Sequence, residues 1–290
     1  YESVKMASAI QGRGAGGLVN ALLRRFLREG EPAWPDDAIT RISLEQSYPE
    51  WLVARWIREF GDEETLLILH AGNAHHPVFI YNTAIDVTDQ ELARSLDDAG
   101  FGGNPIQCMT GYIEVREAED LFSSSLFKAG RFIAQDPAAG MAAELLDPLP
   151  GMRVIDLCAA PGGKTVNIAV RMRNSGMVTA LDMHPGRSRL VRETVTRLGL
   201  QIVETVTGDA RSFIPADGIP YDRVLLDAPC SGTAVFSKRP DMKWRRREDD
   251  FSRLAVIQTE LLEHAASLLG PDGILVYSTC TLEKEENDDV

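Results

Sequence analysis

No stretch of this sequence approaches the roughly 18 consecutive apolar residues of a membrane-spanning helix, and its start carries no apolar leader core. No membrane partner is therefore expected, and a cytoplasmic location is. Cysteine is scarce: Cys108, Cys158, Cys230 and Cys280 are the only four, lie far apart and form no CxxC pair. That spacing speaks against a zinc site and a disulfide framework, and fits free thiols in a reducing compartment. Positive charge is also short, with 30 Lys and Arg against 43 Asp and Glu and a net charge of −13. Phosphate neutralisation dominates affinity for nucleic acids, so any such surface must be a local basic patch on an acidic body. Two segments qualify. One holds Arg24, Arg25 and Arg28; the other places Lys238, Arg239, Lys243, Arg245, Arg246 and Arg247 around Trp244, a phosphate-plus-stacking composition. The plain alternative for both is a solvated helix face. No apolar interface stripe stands out, so a monomer is expected.

What is present is ordinary for a folded chain: 290 residues, 44% apolar and 25% charged, give room for one large domain or two smaller ones. Leu18 to Leu27 repeats apolar residues at helical spacing, and the abrupt start at Tyr1 reads as the tail of a larger helical domain. Glu31 to Asp37 is a polar connector broken by prolines. Glu50 to Phe60 predicts a helix that stops at Gly61. Pro77 to Ile85 alternates like a strand, and Gln90 to Ala99 suits a helix closed by Gly100, so this middle region reads as a small α/β unit. From Met152 the pattern changes. Apolar runs at 153–157, 177–181, 202–206, 223–226 and 274–277 alternate with helical stretches at 164–173, 187–198 and 251–269. That rhythm predicts a parallel, doubly wound sheet with helices on both faces.

Such sheets bind ligands at the carboxyl ends of their strands, where this sequence concentrates its chemistry. The first strand runs into Asp156-Leu157-Cys158-Ala159-Ala160-Pro161-Gly162-Gly163-Lys164-Thr165, whose small residues let a ligand approach a helix N-terminus. The second ends at Asp182, placed to take ribose hydroxyls, and the third at Gly208-Asp209, placed to hold an adenine amino group. The fourth ends in Asp227-Ala228-Pro229-Cys230 and the fifth in Ser278-Thr279-Cys280. Singly, an aspartate after a strand is a turn or cap former, and a cysteine is a small buried hydrophobe; Cys108 receives that structural reading. Together, at consecutive strand ends, they would converge on one crevice.

Cys158 to Thr165 also approximates a P-loop, with Asp227 as the magnesium aspartate of an NTPase. Cys158 stands in place of the first glycine, however, and Pro161 removes an N–H from the would-be phosphate cradle. That reading also leaves Cys280 without a role. GxGxxG is absent.

Asp156–Thr165 (DLCAAPGGKT), Asp227–Gly232 (DAPCSG) and Tyr277–Asn287 (YSTCTLEKEEN) resemble the Nol1/Nop2/Sun family of RNA cytosine-C5 methyltransferases. Phe127 to Ala139 is similar to the lead-in of that family's catalytic domain. The first thirty residues resemble the last helices of a NusB-like domain, and Tyr48 to Leu52 a connecting segment, as in the bacterial small-subunit ribosomal RNA enzymes of the Sun/Fmu branch. The resemblance implies a Rossmann-like, S-adenosylmethionine-dependent methyltransferase sheet at 127–290, a NusB-like RNA-binding remnant at 1–45 and a small α/β connecting unit at 46–126. It implies methylation of cytosine in small-subunit (16S) ribosomal RNA or another RNA such as tRNA. Cys280 would be the nucleophile and Cys230 the cysteine that assists product release. Cys158, Ala159, Ala160, Pro161, Gly162, Gly163 and Lys164 would form the cofactor loop, with Asp182 on the ribose, Asp209 on the adenine side and Asp227 between cofactor and target base. Two departures stand out: Ala234 where a glycine is expected, and an end at Val290 before two further strands expected to complete the sheet.

The implied chemistry needs these residues. Carbon 5 of cytosine is a weak nucleophile, and a thiolate adding at carbon 6 pushes electron density onto it. A free thiol of pKa roughly 8.5 is only about 3% ionised at pH 7, so the site must lower that value or withdraw the proton. The base for the carbon 5 proton stays open among Cys230, Asp227 and a water they hold. The target must leave its stack, which favours single-stranded or looped RNA. DNA enzymes place their nucleophile after the proline, where Cys230 stands, followed by glutamine; Ser231 follows here, and a second cysteine lies on the next strand. RNA rather than DNA is the expected partner.

Overall fold

The computed structural model describes residues 1–30 and 33–290; Glu31 and Pro32, which open the expected connector, lie outside the described residues. The chain divides into two compact units, Tyr1–Leu67 and Ile68–Val290.

The first unit is helical: α1 (Glu2–Gln11), α2 (Arg13–Glu29), α3 (Ala38–Gln46) and the first part of α4 (Glu50–Asn73). Asp37 caps α3 by accepting from the Thr40 N–H at 2.8 Å. The predicted stop at Gly61 is present: its φ of 81° and ψ of 172° are non-helical, and a second helical stretch begins beyond it and runs to Asn73. One glycine at positive φ breaks the ladder, and the residues from Asp62 onward are good enough helix formers to start a new one.

The second unit carries two sheets. The smaller is antiparallel in the order β2-β3-β1-β4, built from β1 (Val78–Asn82), β2 (Gly103–Pro105), β3 (Tyr112–Val115) and β4 (Phe132–Ala134). Helix α5 (Asp89–Asp98) lies between β1 and β2 in sequence, and the short α6 (Ser125–Lys128) precedes β4. Thr88 and Glu91 start α5 with a reciprocal capping box. Strand alternation then divides the sheet's side chains. Ile80, Ile113 and Phe132 pack with Leu92 and Leu96 of α5, while Tyr81, Tyr112 and Ile133 join the core of the larger sheet. The strand β4 falls within the segment read as catalytic domain, yet it pairs with β1.

The larger sheet is parallel throughout, in the order β7-β6-β5-β8-β9. After α7 (Pro137–Leu146) come β5 (Arg153–Asp156), α8 (Gly163–Arg171), β6 (Met177–Asp182), α9 (Pro185–Arg197), β7 (Val203–Thr207), β8 (Tyr221–Asp227), α10 (Asp249–Ser267) and β9 (Leu269–Ser278). One face packs Val154, Val178 and Leu225 against α7, α8 and α9. The other packs Ile155, Leu181 and Val224 against Leu261 and Ala265 of α10. Burying each such aliphatic side chain contributes about 1.5–3 kcal/mol. The strand order reverses between β5 and β8, which opens a crevice at their carboxyl ends.

A buried polar knot ties the small sheet to α8. Tyr112 donates to Gln135 at 2.7 Å, and Asn167 of α8 donates to both, at 2.9 and 3.0 Å. Three mutually satisfied polar side chains in a low-dielectric interior admit little slack, so the loop preceding α8 is fixed from behind. Among the described residues no helix is long and apolar enough to cross a membrane.

Candidate active site

Asp156 ends β5 fully buried, accepts from the Thr165 hydroxyl at 2.7 Å, and leaves its Oδ1 without a partner. Burial pushes its carboxyl up to about 7, against the opposing pull of Thr165. The loop from Cys158 to Lys164 then turns into α8. Gly162 holds φ 107°, and a Cβ there would sit 3.3 Å from Val191 Cγ1, so both backbone and space ask for glycine.

Three N–H groups of this loop are already engaged within the fold. Ala159 donates to Leu181 O at 2.9 Å and Gly162 to Ala159 O at 2.7 Å, Ala160 donates to Asp182 at 3.2 Å, and Pro161 has none. A phosphate cradle requires several such groups pointing outward together, and these three are turned to partners within the fold. Lys164 does not project into open space either; its Nζ donates to Asp227 Oδ2 at 2.7 Å.

Three carboxylates stand in a row beyond the loop. Asp182 is 4% exposed and also accepts from the His184 N–H at 3.0 Å, with Arg187 at 3.6 Å. Asp209 is gripped by Arg211 at 2.7 Å, which holds its carboxyl below the usual range, and Arg211 also reaches Glu260 at 3.1 Å. Asp227 takes the Ser278 hydroxyl at 2.9 Å besides Lys164. All three face one cavity of about 510 Å³, together with Cys158, Ala160, Cys230, Cys280 and the apolar Ile257 and Leu261. Of the expected cofactor loop only Cys158 and Ala160 line it; Ala159, Pro161, Gly162, Gly163 and Lys164 do not.

The two strand-end cysteines meet at this cavity. Parallel pairing sets Asp227 beside Ser278, so the segments leaving β8 and β9 travel together and bring Cys230 Sγ to 3.3 Å from Cys280 Sγ. The Cys280 N–H also donates to Cys230 Sγ at 3.3 Å. The hydrogen bond from Cys230 lowers the Cys280 thiol, with Lys164 adding to that and burial and Asp227 opposing it. Cys230 moves the other way, raised by its hydrogen bond with Cys280 and by its own desolvation. Burial drives Cys158 up to about 12, which keeps it a neutral thiol.

Several contributors lie in segments the sequence marked but were given no role there at the cysteines. Glu286, fully buried, accepts from Ser231 N–H at 2.8 Å, Gln258 at 3.0 Å and Thr281 at 2.9 Å. Arg246 donates to the carbonyls of Ser231 and Cys230 at 2.6 and 3.3 Å. Gly232 turns at φ 73°, and a Cβ there would meet Met242 Cε at 2.8 Å. Ala234, the departure from the expected glycine, has no positive φ and donates its N–H to Cys280 O at 3.1 Å, so alanine fits.

Two sequence expectations need correction. Cys108 is exposed, not a buried hydrophobe, because it lies in the loop between β2 and β3. The basic run from Lys238 is not one surface: Lys243 is 3% exposed with its amine on Asn73, Lys238 pairs with Asp136, and Arg246 braces the Cys230 loop. Arg239, Trp244, Arg245 and Arg247 are exposed.

A parallel sheet reversing at its first strand, with acidic strand ends around one crevice, defines a Rossmann-like α/β unit of the methyltransferase type. A family model for the 16S rRNA methyltransferase RsmB/F matches residues 143–290, and one for the RsmF/B-like ferredoxin-like domain matches 48–120. The chain belongs to the 16S rRNA methyltransferase RsmB/F family. It is 35% identical over 300 residues to the probable ribosomal RNA small subunit methyltransferase B of Bacillus subtilis, covering 100% of this chain and 65% of that protein. It is 37% identical over 294 residues to ribosomal RNA small subunit methyltransferase B of Pseudomonas putida, covering 66% of that protein. The chain thus spans about two thirds of the length of these relatives. A crystal structure of a methyltransferase homolog protein from Pyrococcus horikoshii superimposes with a TM-score of 0.77 at 30% identity, over 88% of this chain and 81% of that one.

Proposed function

We propose that this protein methylates carbon 5 of cytosine in small-subunit ribosomal RNA, using S-adenosylmethionine and a covalent bond between Cys280 and carbon 6 of the base. The observation that carries the reading is the Cys230–Cys280 pair, 3.3 Å apart on the rim of a cavity lined by Asp182, Asp209 and Asp227. That donor set suits the cofactor. Asp182 accepts ribose hydroxyls, Asp209 lies on the adenine side beside Ile257 and Leu261, and Asp227 balances cationic charge. When bound, the cofactor supplies an electrophilic methyl group on a sulfonium.

The side chains divide the remaining work. Cys280, its thiol lowered by the bond from Cys230, adds its sulfur to carbon 6 and raises the electron density at carbon 5. After methyl transfer the carbon 5 proton leaves to a base at the cavity mouth, where Cys230 and Asp227 stand. The electron pair of the broken carbon 5–hydrogen bond restores the ring double bond as the sulfur–carbon 6 bond breaks, and Cys280 departs with that bond's pair as thiolate. Cys230 assists that elimination. Arg239, Trp244, Arg245 and Arg247 offer phosphate contacts and a stacking face for the flanking nucleotides. The small-subunit ribosomal target rests on the names of the relatives.

The test is transfer of a labelled methyl group to ribosomal RNA, with the product base identified and adducts followed on denaturing gels. Cys280→Ala should form no adduct and no product, whereas Cys230→Ala should trap the adduct. A denaturation-resistant adduct in Cys280→Ala would overturn the assignment of roles.

A further inference from the structure

The carboxylate of Glu286 is buried among neutral groups belonging to both cysteine segments. On one side it accepts from the N–H of Ser231 at 2.8 Å and from the Ser231 hydroxyl. On the other it accepts from the Thr281 hydroxyl at 2.9 Å. Ser231 follows Cys230 directly and Thr281 follows Cys280, so one carboxylate joins the two residues immediately beyond the two thiols. The two hydroxyls also lie 2.8 Å from each other.

Glu286 is itself fixed. The Tyr277 hydroxyl donates to its carbonyl at 2.8 Å, and Gln258 of α10 donates both to Glu286, at 3.0 Å, and to Pro229 O, at 2.9 Å. Arg246 holds the carbonyls of the Cys230 segment independently. The Glu286 charge does not help the nucleophile, because it opposes ionisation of both Cys280 and Cys230. A buried anion that works against the thiolate yet bridges both thiol segments has a positional benefit.

We infer that Glu286 is the positioning residue that sets the Cys230–Cys280 separation, and that through it the breakdown of the covalent RNA adduct depends on this carboxylate. The inference rests on the reading of Cys280 as nucleophile and Cys230 as the residue assisting elimination. If the bridge goes, Cys280 can still add to the base, but Cys230 no longer stands where elimination needs it. Loss of the three charge-assisted bonds to the two segments should slow elimination by about tenfold or more. Glutamine keeps one acceptor and the same length, so Glu286→Gln should recover most of the elimination rate.

The experiment compares native protein, Cys230→Ala, Glu286→Ala and Glu286→Gln for adduct with ribosomal RNA during turnover, with thermal unfolding and Cys280 alkylation measured alongside. Accumulated adduct in Glu286→Ala, little in Glu286→Gln and Cys280 alkylation no slower than native in both is the expected result. The inference is overturned if Cys230→Ala traps adduct and folded Glu286→Ala does not, whether that variant turns over normally or loses adduct formation altogether. Absence of adduct in Cys230→Ala as well would instead sink the underlying reading of the cysteines, and the inference with it. Should Glu286→Ala fail to fold, Thr281→Val removes only the Cys280 arm of the bridge. It should accumulate adduct by the same logic, and its failure to do so overturns the inference equally.

Discussion

Cys230 Sγ lies 3.3 Å from Cys280 Sγ, and the hydrogen bond between the two thiols lowers Cys280 and raises Cys230. The first consequence concerns thiol reactivity. Cys280 is lowered chiefly by this bond, Cys230 is raised by it, and Cys158 is pushed up to about 12. Iodoacetamide near neutral pH should therefore label Cys280 ahead of Cys230 and leave Cys158 unmodified. Cys230→Ala removes that bond, so the pH midpoint for Cys280 alkylation should move upward. Mass spectrometry of the labelled peptides reads both, and an unmoved midpoint would refute the polarity of the pair.

Asp156 supplies a stability signature. Its ordinary value of 3.8 rises to about 7 in the folded protein, so the folded state holds this proton more tightly between those values. Its contribution to stability is complete below about pH 4, is lost as pH rises through about 7, and is constant above. Asp156→Asn removes that dependence. The melting temperature of the variant minus that of the native protein should climb between pH 4 and 7 and then level off. A flat difference across that range would contradict the raised carboxyl.

Lys164 is tied to Asp227 at 2.7 Å, and the pair is only partly exposed. Lys164→Met removes the ion pair that holds the Asp227 carboxylate in place beside the proposed cofactor seat. Calorimetry with S-adenosylmethionine should show affinity about tenfold weaker, the equivalent of about 1.4 kcal/mol. Unchanged affinity would remove Lys164 from the cofactor loop.

The basic run around Trp244 should separate into two kinds of residue. Trp244, 61% exposed, should weaken binding of single-stranded RNA by about 1–3 kcal/mol on change to alanine. Arg245→Ala should reduce the salt slope of RNA binding by about 1. Lys243→Ala should lower the melting temperature and leave the slope intact, since its amine is held on Asn73. A changed slope in Lys243→Ala would place that amine on the RNA instead.

The parallel sheet was legible because its strands are buried apolar runs and its helices have strong period, from Val154 and Val178 to Leu261 and Ala265. The antiparallel sheet was legible only at β1. Its other strands have three or four residues, and Tyr112, Ile113 and Val115 are all buried, so no apolar–polar alternation marks them. Asp182, Asp209, Asp227, Cys230 and Cys280 could be singled out because each follows a strand.

The sequence by itself determined which residues stand at the ends of the strands, since local periodicity and turn residues decide where each strand stops. Only the tertiary structure decided how those ends meet. Strand order put β8 between β5 and β9, and parallel register brought Cys230 against Cys280. The burial of Lys243 and the four-way seat of Glu286 depend on contacts between residues as far as 170 positions apart. No local pattern encodes such contacts, because they arise from the packing of whole elements.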